Sequence, residues 1–84
     1  MTRLVVTGEL DAATAPRLGA LLADPAVVEI DLAGVSFIDA SGLTVLVAAR
    51  DARRRERLRL VMPSSAVTRI LELSGEVGAF AVWP

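Results

Sequence analysis

The residues best placed to do chemistry form a short polar string between two apolar runs. Asp39-Ala40-Ser41-Gly42 follows Val35-Ser36-Phe37-Ile38 and precedes Leu43-Thr44-Val45-Leu46. A hydroxyl two residues after a carboxylate, just before a glycine and at the start of a helical pattern, has two uses. It can cap the helix by accepting from backbone N–H groups. It can also accept a phosphoryl group, because the unpaired N–H groups and positive dipole end of a helix N-terminus accommodate one, and Gly42 lets a modifying enzyme approach the backbone closely. Both uses of Ser41 stay open on the residues alone. Asp39 and Asp11 are similarly divided between turn or capping roles and a functional one, whereas Ser64, Ser65 and Ser74 read only as turn or cap residues.

Other chemistries lack their groups. The 84 residues contain no cysteine and no histidine, which removes thiolate nucleophiles, imidazole bases and the usual zinc and haem ligands. All nine basic residues are arginines, so there is no lysine and no Gly-rich phosphate loop of the lysine type. The expectation is a chain that is not an enzyme, with no catalytic residue, no cofactor and no metal. The longest apolar run is broken by charge well before the ~20 residues that span a bilayer, and Met1 leads into a strand pattern rather than a signal peptide. A cytoplasmic protein without direct membrane insertion is expected.

The net charge of −1 conceals a dipole. Residues 50–59 carry six arginines and two acids, the first forty-nine residues have a balance of −4, and the last twenty-five have −1. Nucleic-acid binding calls for a broad basic footprint with aromatic stacking surfaces. Here only Phe37, Phe80 and Trp83 are aromatic, so no nucleic-acid partner is expected. Arginines at a helix C-terminus suit the carbonyl end of the macrodipole.

The elements that would position the loop follow from periodicity. Residues 3–10 are apolar and β-branched, which predicts a strand closed by Gly8 and Asp11. Thr14 then serves as a capping hydroxyl, with Pro16 in the first turn and Leu18, Leu21 and Leu22 on one side of a short helix; Asp24-Pro25 stops it. Residues 27–32 alternate, with Val28, Ile30 and Leu32 opposite Glu29 and Asp31. A helix is expected from Leu43 to about Arg55, capped by Ser41, its first turns deep against the sheet and its arginines in water. Phe37, Leu43 and Leu46 are assigned to the core. Residues 58–62 predict a strand, Ala66 to Leu73 a helix with Val67, Ile70 and Leu71 inward and Gly75 as its stop, and 79–83 a final strand. Trp83 suits edge packing or partner contact equally. The alternation β-α-β-α-β-α-β with short connections predicts a single α/β domain over residues 1–84 with a mostly parallel or mixed four-stranded sheet. In such folds the functional crevice lies beyond the carboxyl ends of the strands, where Asp39 to Gly42 falls.

These residues, taken in order, resemble a known family. Gly8-Glu9-Leu10-Asp11, Thr14-Ala15-Pro16, Ile30-Asp31-Leu32-Ala33-Gly34-Val35, Phe37-Ile38-Asp39-Ala40-Ser41-Gly42-Leu43 and Leu71-Glu72-Leu73-Ser74-Gly75 look like the STAS domain of bacterial anti-sigma factor antagonists, over nearly the whole chain. The resemblance implies an antagonist that binds an anti-sigma factor with serine kinase activity while unphosphorylated. It is released on phosphorylation at Ser41, rather than Ser36, and a phosphatase restores it, so that sigma-factor-dependent transcription is regulated. Asp11, Asp39, Ala40, Gly42 and Leu43 are then expected to contact the partner, with Arg50, Arg53 and Arg54 on or near the rim of the surface. Ala40 stands where many members carry a second hydroxyl. An alternative within the same fold is a STAS accessory subunit of a membrane transporter, such as an ABC-type phospholipid-trafficking system, with no phosphorylation switch. Members usually begin with an additional strand and end with an additional helix, which this chain lacks. An uncovered sheet edge is therefore expected, and with it a homodimer or a partner that covers the edge.

Overall fold

The computed structural model describes residues 2–53, 58–76 and 80–83. Seven elements alternate in the expected order: β1 (Thr2–Leu10), α1 (Ala15–Leu22), β2 (Val27–Ile38), α2 (Ala40–Asp51), β3 (Arg59–Val61), α3 (Ser65–Ser74) and β4 (Ala81–Trp83). The strands form one sheet in the order β1-β2-β3-β4, and every neighbouring pair is parallel. Each crossover moves one strand in the same direction, so right-handed connections put all three helices on one face. The core agrees with this. Leu18 and Leu22 of α1, Leu46 of α2 and Val67 and Leu71 of α3 form one buried cluster with Leu10, Ile30, Leu32 and Leu60 of the strands.

The opposite face of the sheet is polar where the strands lie in register. Arg3, Glu29 and Arg59 occupy one row across β1, β2 and β3. The Arg3 Nε donates to one Glu29 carboxylate oxygen at 3.1 Å and Arg59 donates to the other at 2.9 Å. One glutamate thus bridges two arginines on neighbouring strands.

The strand expected at 27–32 and the extended run at 35–38 are one twelve-residue strand, joined through irregular pairing with β1. Thr2 pairs with Val27 but Arg3 with Glu29, Val5 with Asp31 but Thr7 with Gly34, and Gly8 with Val35 but Glu9 with Phe37, so β2 carries an extra residue three times. Such bulges break strict alternation. Val35 and Ile38 are buried while Ser36 and Phe37 both face water. Phe37, expected in the core, is therefore 49% exposed. In α1 the inward set is Ala15, Leu18 and Leu22, and Leu21 is exposed. At 100° per residue Leu21 lies beyond Leu18, on the side away from Leu22.

Helix α3 follows its sequence signals closely. The Ser64 hydroxyl accepts from the Val67 N–H, Val67 and Leu71 are buried, and Gly75 ends the helix in the left-handed conformation (φ 76°). Ile70 packs partly buried against the core. Helix α2 ends at Asp51 rather than near Arg55. Its apolar residues serve two neighbours, because Leu46 is fully buried in the core while Val45 lies against α1, 3.7 Å from where a Gly19 Cβ would sit. No helix among the described residues is long and apolar enough to cross a membrane.

Candidate functional site

Parallel pairing of β1 with β2 brings Leu10 opposite Ile38, so the loops that leave them, at Asp11 and Asp39, emerge together at the carboxyl end of the sheet. A backbone hydrogen bond from Asp39 N–H to the Leu10 carbonyl (3.1 Å) ties the two loops. Asp11 organises the first. One of its carboxylate oxygens accepts from the N–H groups of Ala13 (3.0 Å) and Thr14 (3.1 Å), and its carbonyl accepts from Ala15 at 2.8 Å. Thr14, expected to cap α1 with its hydroxyl, makes no side-chain cap bond. Its hydroxyl instead donates to the Glu9 carbonyl at 2.7 Å and accepts from the Asp11 N–H at 2.9 Å. The hydroxyl is nearer to the end of β1 than to the helix it precedes.

Asp39 organises the second loop and takes the role the sequence assigned to Ser41. With extended backbone (φ −118°, ψ −171°) it is the N-cap of α2. Its carboxylate accepts from Ser41 N–H at 2.8 Å and Gly42 N–H at 3.4 Å. Asp and Ser cap about equally well, so two cap-competent residues compete for one helix start, and the earlier one wins because Ala40 and Ser41 are already helical. Ser41 therefore caps nothing. Its side chain, half-buried, makes no hydrogen bond among the described residues, whereas the nearby hydroxyls of Thr44 and Ser36 donate to the Ala40 and Gly8 carbonyls.

This arrangement changes what a phosphoryl group on Ser41 would meet. The two N–H groups at the start of the helix already serve Asp39, so the new charge would face a carboxylate rather than vacant donors. A phosphoserine carries about −1.5 to −2. At about 6 Å and an effective dielectric of about 20, each unit pair costs ~3 kcal/mol before screening.

Gly42 is buried, which removes it as a point of contact for a partner or modifying enzyme. A Cβ there would lie 2.8 Å from the Leu10 Cβ, 2.9 Å from the Leu10 carbonyl oxygen and 3.0 Å from the Ile38 Cγ1. The glycine is needed for the close approach of α2 to the ends of β1 and β2. Leu43 is partly buried against the core. The outward face of α2 is instead the line Ala40, Thr44, Ala48 and Asp51, all exposed, spaced four, four and three residues apart as a helical face requires and flanked by half-buried Leu43 and Val47. Sequence reasoning missed the small, uncharged part of this stripe, Ala40, Thr44 and Ala48, although its i, i+4, i+8 spacing was available.

The arginines expected at the rim are engaged within the chain. Arg50 donates to Glu76 and, at 3.0 Å, to Asp51, and its guanidinium stacks 4.9 Å from the Phe80 ring centroid. The hydrogen bonds to Glu76 and then Asp51 raise its pKa above the ordinary arginine value. Arg53 donates to the carbonyls of Val27, Leu22 (3.1 Å) and Asp24 (3.4 Å), fastening the end of α2 to the connection between α1 and β2. These contacts correct the picture of a solvated basic end. Arg54 lies outside the described residues. Among the described residues no cluster of three acidic groups could hold a metal ion.

Comparison with known proteins places this geometry in context. A family model described as Mlab, STAS domain, matches residues 1–77. The anti-sigma-B factor antagonist of Listeria monocytogenes is 35% identical over 79 residues, spanning 86% of this chain and 69% of the relative. That of Listeria innocua matches to the same extent. Among solved structures, an anti-sigma factor antagonist from Mycobacterium paratuberculosis superposes with a TM-score of 0.83 at 31% identity, over 98% of this chain and 75% of the other. The anti-sigma factor antagonist SpoIIAA in its unphosphorylated form shares the fold, with a TM-score of 0.71 at 24% identity over 95% of this chain and 76% of the other.

Proposed function

From the premise that the chain belongs to the STAS domain family, we propose that it is an anti-sigma factor antagonist whose partner binding is switched at Ser41. The antagonist reading rests on the names of the relatives and of the structural neighbour at 31% identity. The switch rests on one observation above all: the Ser41 hydroxyl makes no hydrogen bond among the described residues, yet it sits at the second helical position of α2, two residues from the capping carboxylate of Asp39. A phosphoacceptor must be free to leave its surroundings, and a structural cap is not.

Unmodified, the chain binds an anti-sigma factor with serine kinase activity through the Ala40–Thr44–Ala48 face of α2 and the adjoining loops of Asp11 and Asp39. Small side chains without charge allow a partner to close upon the helix. Phosphorylation at Ser41 puts two like charges at the edge of that surface and sets them against Asp39, and the partner dissociates. A phosphatase reverses the step. The protein acts in the cytoplasm as a binding module rather than as an enzyme. Arg50 and Arg53 contribute by holding α2 in place.

The test is native co-purification from the source cell followed by mass spectrometry of the chain. A kinase-type anti-sigma factor in the complex, with phosphate on Ser41 in the unbound fraction, supports the antagonist. Recovery of a transporter ATPase with Ser41 unmodified supports the accessory-subunit reading instead.

A further inference from the structure

Strand β2 outlasts the neighbour on its inner side. It has twelve residues, whereas the three of β3 pair only with Glu29, Ile30 and Asp31. The Ser64 N–H then donates to the Leu32 carbonyl at 3.2 Å, the last backbone bond that β2 receives on this side among the described residues. From there to its end, residues 33–38 have β1 on one side and, among the described residues, no strand on the other. The gap lies inside the sheet, in line with β3. Met62, directly after β3, has φ 49°, a positive value that no other described residue except glycine adopts. Left-handed backbone at such a residue is held by its surroundings and clusters at functional sites. Here it turns the chain away from the line of β3 and, through Pro63 and Ser64, into α3.

Unpaired strand edges template the addition of another strand unless proline, charge or bulges blunt them. Residues 33–38, Ala-Gly-Val-Ser-Phe-Ile, contain no proline and no charge. The Ala33 N–H already donates to the Asp31 carboxylate at 3.0 Å, and the Ser36 hydroxyl turns toward β1, where it donates to the Gly8 carbonyl. An added ladder is therefore confined to residues 34–38. Two of the irregularities in the pairing with β1 fall here and bend the stretch, which excludes a long flat partner. The room left suits about five residues, ~17 Å of extended chain. Phe37 and Met62, 49% and 50% exposed, offer apolar contact near the two ends.

Charge selects the occupant. Glu9 pairs with Phe37 across the β1–β2 ladder, and Asp31 and Asp39 bracket the gap. None of these three carboxylates forms an ion pair among the described residues. Residues 7–10, 31–39 and 62–68 contain no cation, and Arg3 and Arg59, in the row before Asp31, converge on Glu29. We propose that residues 34–38 receive a short basic segment of a partner protein as an added strand in line with β3. Backbone bonds give such strands their affinity, and the groups beside them give selectivity. The contact is separate from the proposed switch, because it uses the backbone of β2 and not the exposed face of α2.

The test is titration of the isotopically labelled chain with three end-blocked seven-residue peptides, read by heteronuclear NMR and amide hydrogen exchange. The first alternates valine and threonine between terminal lysines, and the second has glutamate in place of lysine. The third has two adjacent prolines at its centre, so that one of the missing N–H groups must face β2. The lysine peptide should shift the resonances of residues 34–38 and slow the exchange of their amides. The glutamate and proline peptides should each bind about fivefold or more weakly. A Glu9→Gln, Asp31→Asn double variant should lose about the same factor toward the lysine peptide; asparagine still accepts from the Ala33 N–H, so the edge keeps its shape. Circular dichroism checks folding, and should the double variant not fold, Glu9→Gln alone replaces it with a loss of about twofold. No binding of the lysine peptide at millimolar concentration would overturn the proposal. So would binding that leaves residues 34–38 untouched, a glutamate or proline peptide that binds as well as the lysine one, or a folded charge variant that binds as well as wild type.

Discussion

Replacing Gly42 with alanine tests the packing that sets Ser41 in place. The added Cβ would stand 2.8 Å from the Leu10 Cβ and 2.9 Å from the Leu10 carbonyl oxygen. Neither neighbour is the flexible end of a side chain, and Leu10 is buried and paired to β2. Relief thus requires α2 to lift away from β1, and overpacking of this kind costs ~1–3 kcal/mol. Alanine returns at most ~1 kcal/mol in helix preference over glycine. With two contacts below 3.0 Å the upper part of that range applies and the clash prevails, so a net loss of about 1–2 kcal/mol lowers Tm by roughly 4–16 °C in a domain of this size. Gly19→Ala is the matched control. Its Cβ would meet Val45 Cγ1 at an ordinary 3.7 Å, so helix preference acts alone and Tm should rise by a few degrees. Thermal unfolding followed by circular dichroism reads both. A Gly42→Ala protein as stable as wild type would refute the close approach of α2 to β1.

Other consequences concern the groups around the site. Asp39→Ala should cost about 1 kcal/mol through loss of the cap of α2, whereas Ser41→Ala should change stability by less than about 0.5 kcal/mol, and urea denaturation separates the two. Arg53→Ala should destabilise by about 1–3 kcal/mol, because the carbonyls of Leu22, Asp24 and Val27 lose a charged donor; an unchanged urea midpoint would contradict this. Between about pH 6 and 9 stability should be flat, since the chain has no histidine, cysteine, tyrosine or lysine and the amino terminus alone ordinarily titrates there. The raised pKa of Arg50 leaves its ion pairs formed throughout that window, because such a contribution is lost only above the folded value. Urea midpoints across that range provide the check.

The alternation of strands and helices was legible because each element is short, carries its own period and is bounded by strong stop signals such as Asp24-Pro25 and Gly75. The carboxyl-end loop was legible for the same reason. What the sequence concealed was set by contacts between elements. Ser41 and Asp39 are equally good caps in isolation, and only the path of the chain out of β2 decides between them. Phe37 reads as core until the bulges opposite β1 turn it outward. The arginines at and beyond the end of α2 resemble a solvated face, yet Arg53 reaches three carbonyls twenty-six to thirty-one positions earlier in the chain, and local pattern holds no record of that.

The central claim is that phosphate on Ser41 decides whether the partner stays bound. Calorimetric titration of the cognate anti-sigma factor with the unmodified chain and with chain phosphorylated at Ser41 tests it most directly. The switch predicts tight binding by the unmodified form and an affinity at least about a hundredfold lower for the phosphorylated form, which corresponds to ~2.8 kcal/mol. Equal affinity of the two forms would contradict it.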